Sequence, residues 1–208
     1  MLSAAEQTAW NAVGRLNLGD GFCTGALVAP DLVVTAAHCL ISPKTGAKRL
    51  PGRITFVAGY RLRKYVAFET AKSLARHPDY VWSRTASEAQ IAADLALVRL
   101  EAPIPGVAPF GIAAGLKAGN EVSILSYGRD RPEIPSLQSP CRVVARFGPV
   151  AVLDCDVTYG VSGAPVFREV DGERKIVAVV SAMGRWRGQS RAFAVVLEEA
   201  LGPVLAQP

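Results

Sequence analysis

The sequence has 208 residues, half of them apolar and a fifth charged, with a net charge of +5. That composition excludes a disordered chain, and the length suits one large or two modest domains. Lys and Arg are spread from Arg15 to Arg191 without blocks or interleaved aromatics, so no nucleic-acid partner is expected, and no run of about 18 apolar residues exists to span a membrane.

The opening "MLSAAEQTAW" carries no basic stretch followed by an apolar one. If the protein is exported, its signal peptide is expected to have been removed already. Short Val- and Leu-rich runs then recur between Gly, Pro and Asp, which predicts strands rather than long helices. They cover 25–28, 32–35, 54–59, 66–70 and 95–100, and then 121–126, 142–147, 151–154, 165–169, 175–182 and 193–196. The strands are too closely spaced for intervening helices, which leaves a sandwich or a barrel. Between the two groups lies "EAPIPGVAPFGIAAG" (101–115), read as a crossing between two β units. Near the end "LEEAL" predicts a short helix stopped by Gly202 and Pro203.

Three segments carry residues able to do chemistry. "VVTAAHCL" holds His38, one of two histidines, among small apolar neighbours. It is either an ordinary core histidine or a positioned base. Cys23 and Cys39 flank two apolar runs separated by Pro30 and Asp31, a turn signal that would fold the runs back on each other. A Cys23–Cys39 disulfide would then pin His38 at the end of a hairpin and stabilise the fold by roughly 3 kcal/mol in the chain-entropy treatment. "ADLALVRL" places Asp94 at the head of an apolar strand, where a carboxylate is costly without a partner. It is either a turn cap or the acceptor for an imidazole N–H. "GVSGAPVF" sets Ser162 between Gly160 and Gly163. This is either a plain Gly-Ser turn or a nucleophile whose neighbouring N–H groups, those of Gly160 and Ser162, converge on a developing oxyanion. Together the segments supply a nucleophile, a base and an orienting acid.

At this point "GFCTGALVAPDLVVTAAHC", "DLALVRL" and "GVSGAPVF" resemble the three signature segments of the chymotrypsin-like (trypsin-like) serine proteases, in that family's order of His, Asp and Ser. The resemblance spans roughly residues 10–200. It implies an all-β fold of two antiparallel six-stranded barrels with the active site between them, over 10–108 and 116–208, and a short C-terminal helix. It also implies a serine endopeptidase with His38 as general base, Asp94 as its orienting carboxylate and Ser162 as nucleophile. The N–H groups of Gly160 and Ser162 resemble the oxyanion hole. "VVSAM" falls where the family has a strand that pairs with the substrate backbone, which assigns Ser181, Ala182 and Met183 to substrate contact. An ungapped transfer puts Asp156 at the floor of the primary pocket, with Arg191 approaching it. The primary specificity stays open among basic, small or apolar, and acidic side chains.

The chain departs from the family pattern at Val161, where an aspartate usually precedes the nucleophile, and it has no "IVGG"-like activation sequence. It looks closer to the bacterial branch that includes glutamyl endopeptidases than to the vertebrate digestive enzymes. Cys141 and Cys155 flank "RVVARFGPVAVLD", which resembles a hairpin closed by a second disulfide; free thiols are the alternative. Paired cysteines place the protein in an oxidising compartment, secreted or periplasmic. With them paired, no metal site is expected, and no cofactor is implied. The expected partner is a protein or peptide substrate of a monomeric enzyme. His77 is read as a surface residue. The rival reading is a catalytically silent protease-fold protein that binds a partner.

Overall fold

Twelve strands form two closed antiparallel barrels in the structure, a computed structural model that describes residues 1–207. In the first, β1 (Val13–Asn17), β2 (Phe22–Ala29), β3 (Leu32–Thr35), β4 (Thr55–Ala58), β5 (Ala67–Arg76) and β6 (Ala96–Leu100) run in the order β1-β2-β3-β6-β5-β4. Pairing of β1 with β4 closes it. In the second, β7 (Glu121–Gly128), β8 (Arg131–Phe147), β9 (Val150–Leu153), β10 (Pro165–Val170), β11 (Glu173–Trp186) and β12 (Gln189–Val196) run in the order β10-β11-β12-β9-β8-β7. Pairing of β10 with β7 closes it.

The strand residues explain the closure. Inward positions such as Leu16, Phe56 and Val98 in the first barrel, and Val166, Val177 and Ala194 in the second, are fully buried, and small barrels of this type are filled by side chains. The Pro30-Asp31 turn joins β2 to β3 with Ala29 opposite Leu32, and Gly148-Pro149 joins β8 to β9 with Phe147 opposite Val150.

Some elements differ from the sequence reading. β1 was not anticipated, because "VGRLN" is short and interrupted by Gly14 and Arg15. β8 begins at Arg131 rather than 142, despite Pro132, Pro135 and Pro140 within it. Two short helices, α1 (Ala4–Gln7) and α2 (Glu88–Ala92), were also missed. Both start in capping boxes, Ser3 with Glu6 and Ser87 with Gln90. The C-terminal helix α3 (Leu197–Leu205) runs through Gly202 and Pro203 instead of stopping there. Burial of Leu197, Ala200 and Val204 against both barrels holds the turn that Pro203 weakens.

The crossing predicted at 101–115 lies between β6 and β7. It first follows the first barrel, with Phe110 N–H donating to the Leu27 carbonyl, and then the second, with Ala113 N–H donating to that of Ile176. Where the barrels meet, Phe167 packs edge-on against Trp10 and Phe110, at ring distances of 5.1 and 4.7 Å. His77, read as a surface residue, is half-buried: its side chain is 11% exposed, with Nδ1 accepting from the Asp79 N–H.

Candidate active site

A cleft of about 790 Å³ runs between the barrels and is lined by His38, Asp94 and Ser162 together. Each arrives from a different element. His38 sits in a single 3₁₀ turn, Ala37–Leu40, immediately after β3. Ala36 and Ala37 on its N-terminal side are fully buried, so the turn packs tightly onto the first barrel. Cys39 next to it is bonded to Cys23 of β2. Arg49 braces the same turn, donating from Nε to the Cys39 carbonyl at 3.1 Å while pairing with Asp20.

Asp94 follows α2 and precedes β6, and it is 3% exposed. A buried carboxylate needs donors, and it has three. Oδ1 accepts the His38 backbone N–H at 2.8 Å. Oδ2 lies 2.7 Å from His38 Nδ1 and 2.5 Å from the Ser181 hydroxyl, which donates to it. The His38 ring is 30% exposed, which leaves an edge open to the cleft. Burial lowers its proton affinity, but the charge and hydrogen bond of Asp94 outweigh burial and hold its pKa above the ordinary imidazole value. Tyr80 lines the cleft beside them. Burial, then the charge on Asp94, push its phenol upward.

Ser162 lies in the turn before β10, half-buried. That turn docks onto the first barrel. The Ser162 carbonyl accepts from the Thr24 N–H at 2.9 Å, and the Thr24 hydroxyl donates to the Gly160 carbonyl at 3.2 Å. At Gly163, with φ +79°, a Cβ would overlap Thr35 Oγ1 and the Thr24 carbonyl. Only glycine permits this approach of the serine turn to the strand that leads to His38. Among the described residues neither the Gly160 nor the Ser162 N–H donates to a protein acceptor. No hydrogen bond joins Ser162 to His38 among the described residues, although both line the cleft.

Ser181, Ala182 and Met183 of β11 also line the cleft, Met183 being 44% exposed. Asp156 and Arg191 do not. Asp156 is exposed, next to the buried Cys155 that is bonded to Cys141. Arg191 pairs across from Gly184, and its guanidinium is engaged by the Ser190 carbonyl and the Gln189 side chain.

One residue carried no recognised sequence signal, and another takes a different role from the one the sequence suggests. Thr24 lies outside the strand predicted at 25–28, yet its N–H and hydroxyl tie the serine turn to the first barrel. Ser181 was assigned to substrate contact, and its hydroxyl is spent on Asp94. Potential metal ligands gather at Cys23, His38 and Cys39 and at Cys141, Asp154 and Cys155, each set within 4.8 Å. In both sets the sulfurs are bonded to each other, which leaves no thiolate for a metal.

A family model described as the trypsin-like peptidase domain matches residues 23–179. No curated protein matches the chain. Among solved structures the chain is similar to one described as "Structure of Glu endopeptidase in complex with MPD", at 19% sequence identity and a TM-score of 0.74. The match covers 94% of this chain and 89% of the other. At that identity the likeness is one of fold.

Proposed function

The chain belongs to the trypsin-like peptidase family and is a serine endopeptidase; from that premise we propose that it cleaves peptide bonds by acyl transfer through Ser162, His38 and Asp94. The observation that carries this reading is the double hold of Asp94 on His38 in a cleft that Ser162 shares. Ser162 Oγ attacks the scissile carbonyl while His38 Nε2 takes its proton. Asp94 keeps the other ring nitrogen protonated and steadies the imidazolium that forms. The unengaged N–H groups of Gly160 and Ser162 receive the negative charge on the tetrahedral oxygen. The imidazolium then protonates the leaving amine, and water activated by His38 releases the acyl group. The Ser162–His38 hydrogen bond forms in this reading when substrate closes the cleft, as is common for catalytic contacts.

The side chain before the cut would enter between 157–159 and 180–183. Val157, Thr158, Val180 and Ala182 there carry no charge, and Asp156 and Arg191 lie outside the cleft lining. This favours small or apolar side chains over basic or acidic ones. The two barrels would act as separate domains, 10–108 and 116–208, whose junction forms the site. Two disulfides fit export to an oxidising compartment, secreted or periplasmic.

A fluorophosphonate probe tests the mechanism. The wild type should be labelled and Ser162→Ala should not. Folded wild-type protein that resists labelling would favour the catalytically silent binding protein instead.

A further inference from the structure

We propose that Arg129 is a specificity-determining residue that receives an acidic side chain of the substrate on the leaving-group side of the cut. The proposal rests on the reading of Ser162 as nucleophile. Besides His38, the charged groups lining the cleft are Asp20, Arg49, Arg84, Asp94 and Arg129. Asp20 is paired with Arg49, and Asp94 is engaged by His38 and Ser181. Two cations remain, Arg84 and Arg129, and among the described residues neither has a carboxylate within 4.0 Å. The carboxylates nearest in sequence to Arg129 are engaged elsewhere: Asp130 pairs with Arg131 at 2.8 Å, and Glu133 with Arg15 at 3.7 Å. The free charge of the cleft is therefore positive and complements an acidic peptide.

Arg129 differs from Arg84 in being held. Its backbone N–H donates to the Tyr159 carbonyl at 2.6 Å. Its guanidinium carbon lies 5.3 Å from the centroid of the Tyr159 ring, within range of a cation–π contact. Arg84 belongs to an exposed loop and has no comparable partner. A guanidinium restrained on an aromatic face loses less freedom when it forms a two-pronged contact with a carboxylate.

Position decides which part of the substrate Arg129 meets. The acyl portion would lie along Ser181–Met183 of β11, so the leaving portion must pass on the far side of Ser162. There the cleft wall is Phe22, the Cys23–Cys39 bridge and Gly160. A Cβ placed on Gly160 would meet the Phe22 ring at 2.8 Å and the Arg129 backbone nitrogen at 3.0 Å. Arg129 thus begins beside the oxyanion donors and flanks the path of the first residues after the cut.

The test uses peptides with one fixed acyl side and Glu, Gln, Asp, Asn or Lys at each of the first two positions after the cut. In the wild type, kcat/KM for Glu over Gln at the favoured position should be about two- to five-fold, the range for an exposed ion pair, and should fall toward one in high salt. Arg129→Gln should erase the ratio, Arg129→Lys should retain part of it, and Arg129→Glu should invert it toward Lys. Each ratio is internal to one protein, so a general loss of activity does not imitate the result. A wild-type ratio near one, or one that salt or Arg129→Gln leaves unchanged, would overturn the assignment. Probe labelling of Ser162 with cleavage but no acidic preference would defeat this proposal alone; no labelling and no cleavage would defeat the catalytic reading beneath it.

Discussion

Asp94 grips His38 at two points, with Oδ1 on its backbone N–H at 2.8 Å and Oδ2 facing ring Nδ1 at 2.7 Å. The first bond fixes the turn and the second fixes the tautomer, with the proton on Nδ1 and the lone pair on Nε2. In Asp94→Asn the amide NH₂ can face Nδ1 and force the proton to Nε2, where a base is needed. Turnover of a peptide substrate should then drop by about 10⁴-fold with the fold retained. A loss under tenfold in a folded variant would remove Asp94 from the mechanism.

The same pair sets the pH dependence. Burial alone would lower the His38 pKa, yet Asp94 raises it above 6.5 overall. A base works only when unprotonated, so kcat/KM should climb with rising pH and reach half its plateau above 6.5. Removing the carboxylate charge leaves burial as the dominant influence. The residual activity of Asp94→Asn should therefore have its midpoint at lower pH than the wild type. Titration of the His38 ring by NMR provides the independent check, and a wild-type midpoint below 6.5 would contradict the electrostatics of the pair.

In the proposed mechanism Ser181 would act on His38 through Asp94. Its hydroxyl is the second donor to Oδ2. Ser181→Ala removes that donor, leaves His38 as the sole side-chain partner of Oδ2, and strengthens the hold of the carboxylate on a protonated His38. The kcat/KM profile should move to higher pH, and activity near neutrality should fall by about tenfold, the size expected for a hydrogen bond to a charged group. A purely structural role would lower stability without moving the profile.

His38, Asp94 and Ser162 stand out in the sequence because their types are sparse and their surroundings are unusual, and the structure gathers them in one cleft. With two histidines in the chain, a bracket of cysteines around one of them narrows the choice of base sharply. The barrels were legible as alternating and continuous apolar runs. What escaped was whatever depended on register. β1 has too few apolar positions to announce itself, and β8 carries prolines that argue against a strand until its irregular pairing with β7 is seen. Asp156 reads as a pocket floor when counted back from Ser162, but it is exposed and lies outside the cleft lining. Thr24 and Ser181 work through contacts between barrels, which no local pattern encodes.

Val161 stands where the family usually has an aspartate, and its surroundings explain the exchange. It is 1% exposed, in an apolar cluster with Leu116, Cys141 and Cys155. The loop before Ser162 is thus held by burial and a disulfide rather than by an ion pair. Val161→Asp would bury a charge with no cation to meet it, costing about 3–5 kcal/mol. Thermal denaturation should show a large drop in Tm, and probe labelling should fall with it. A variant of near-wild-type stability would show that a cation reaches this loop.

Gly163 is the point at which the serine turn presses on the first barrel. Its φ of +79° is strained for any other residue, and a Cβ would overlap Thr35 Oγ1 and the Thr24 carbonyl. Gly163→Ala must therefore push the turn off β2 and β3, carrying Ser162 away from His38. The expected cost is about 3 kcal/mol or more, with turnover falling further than stability. Gly172→Ala separates strain from collision, because Gly172 has φ +76° with no heavy atom within 4 Å of the added Cβ. That variant should lose only about 1 kcal/mol and keep its activity. If the two variants behaved alike in chemical denaturation and in kcat, the contact between the serine turn and the first barrel would not be what brings nucleophile and base together.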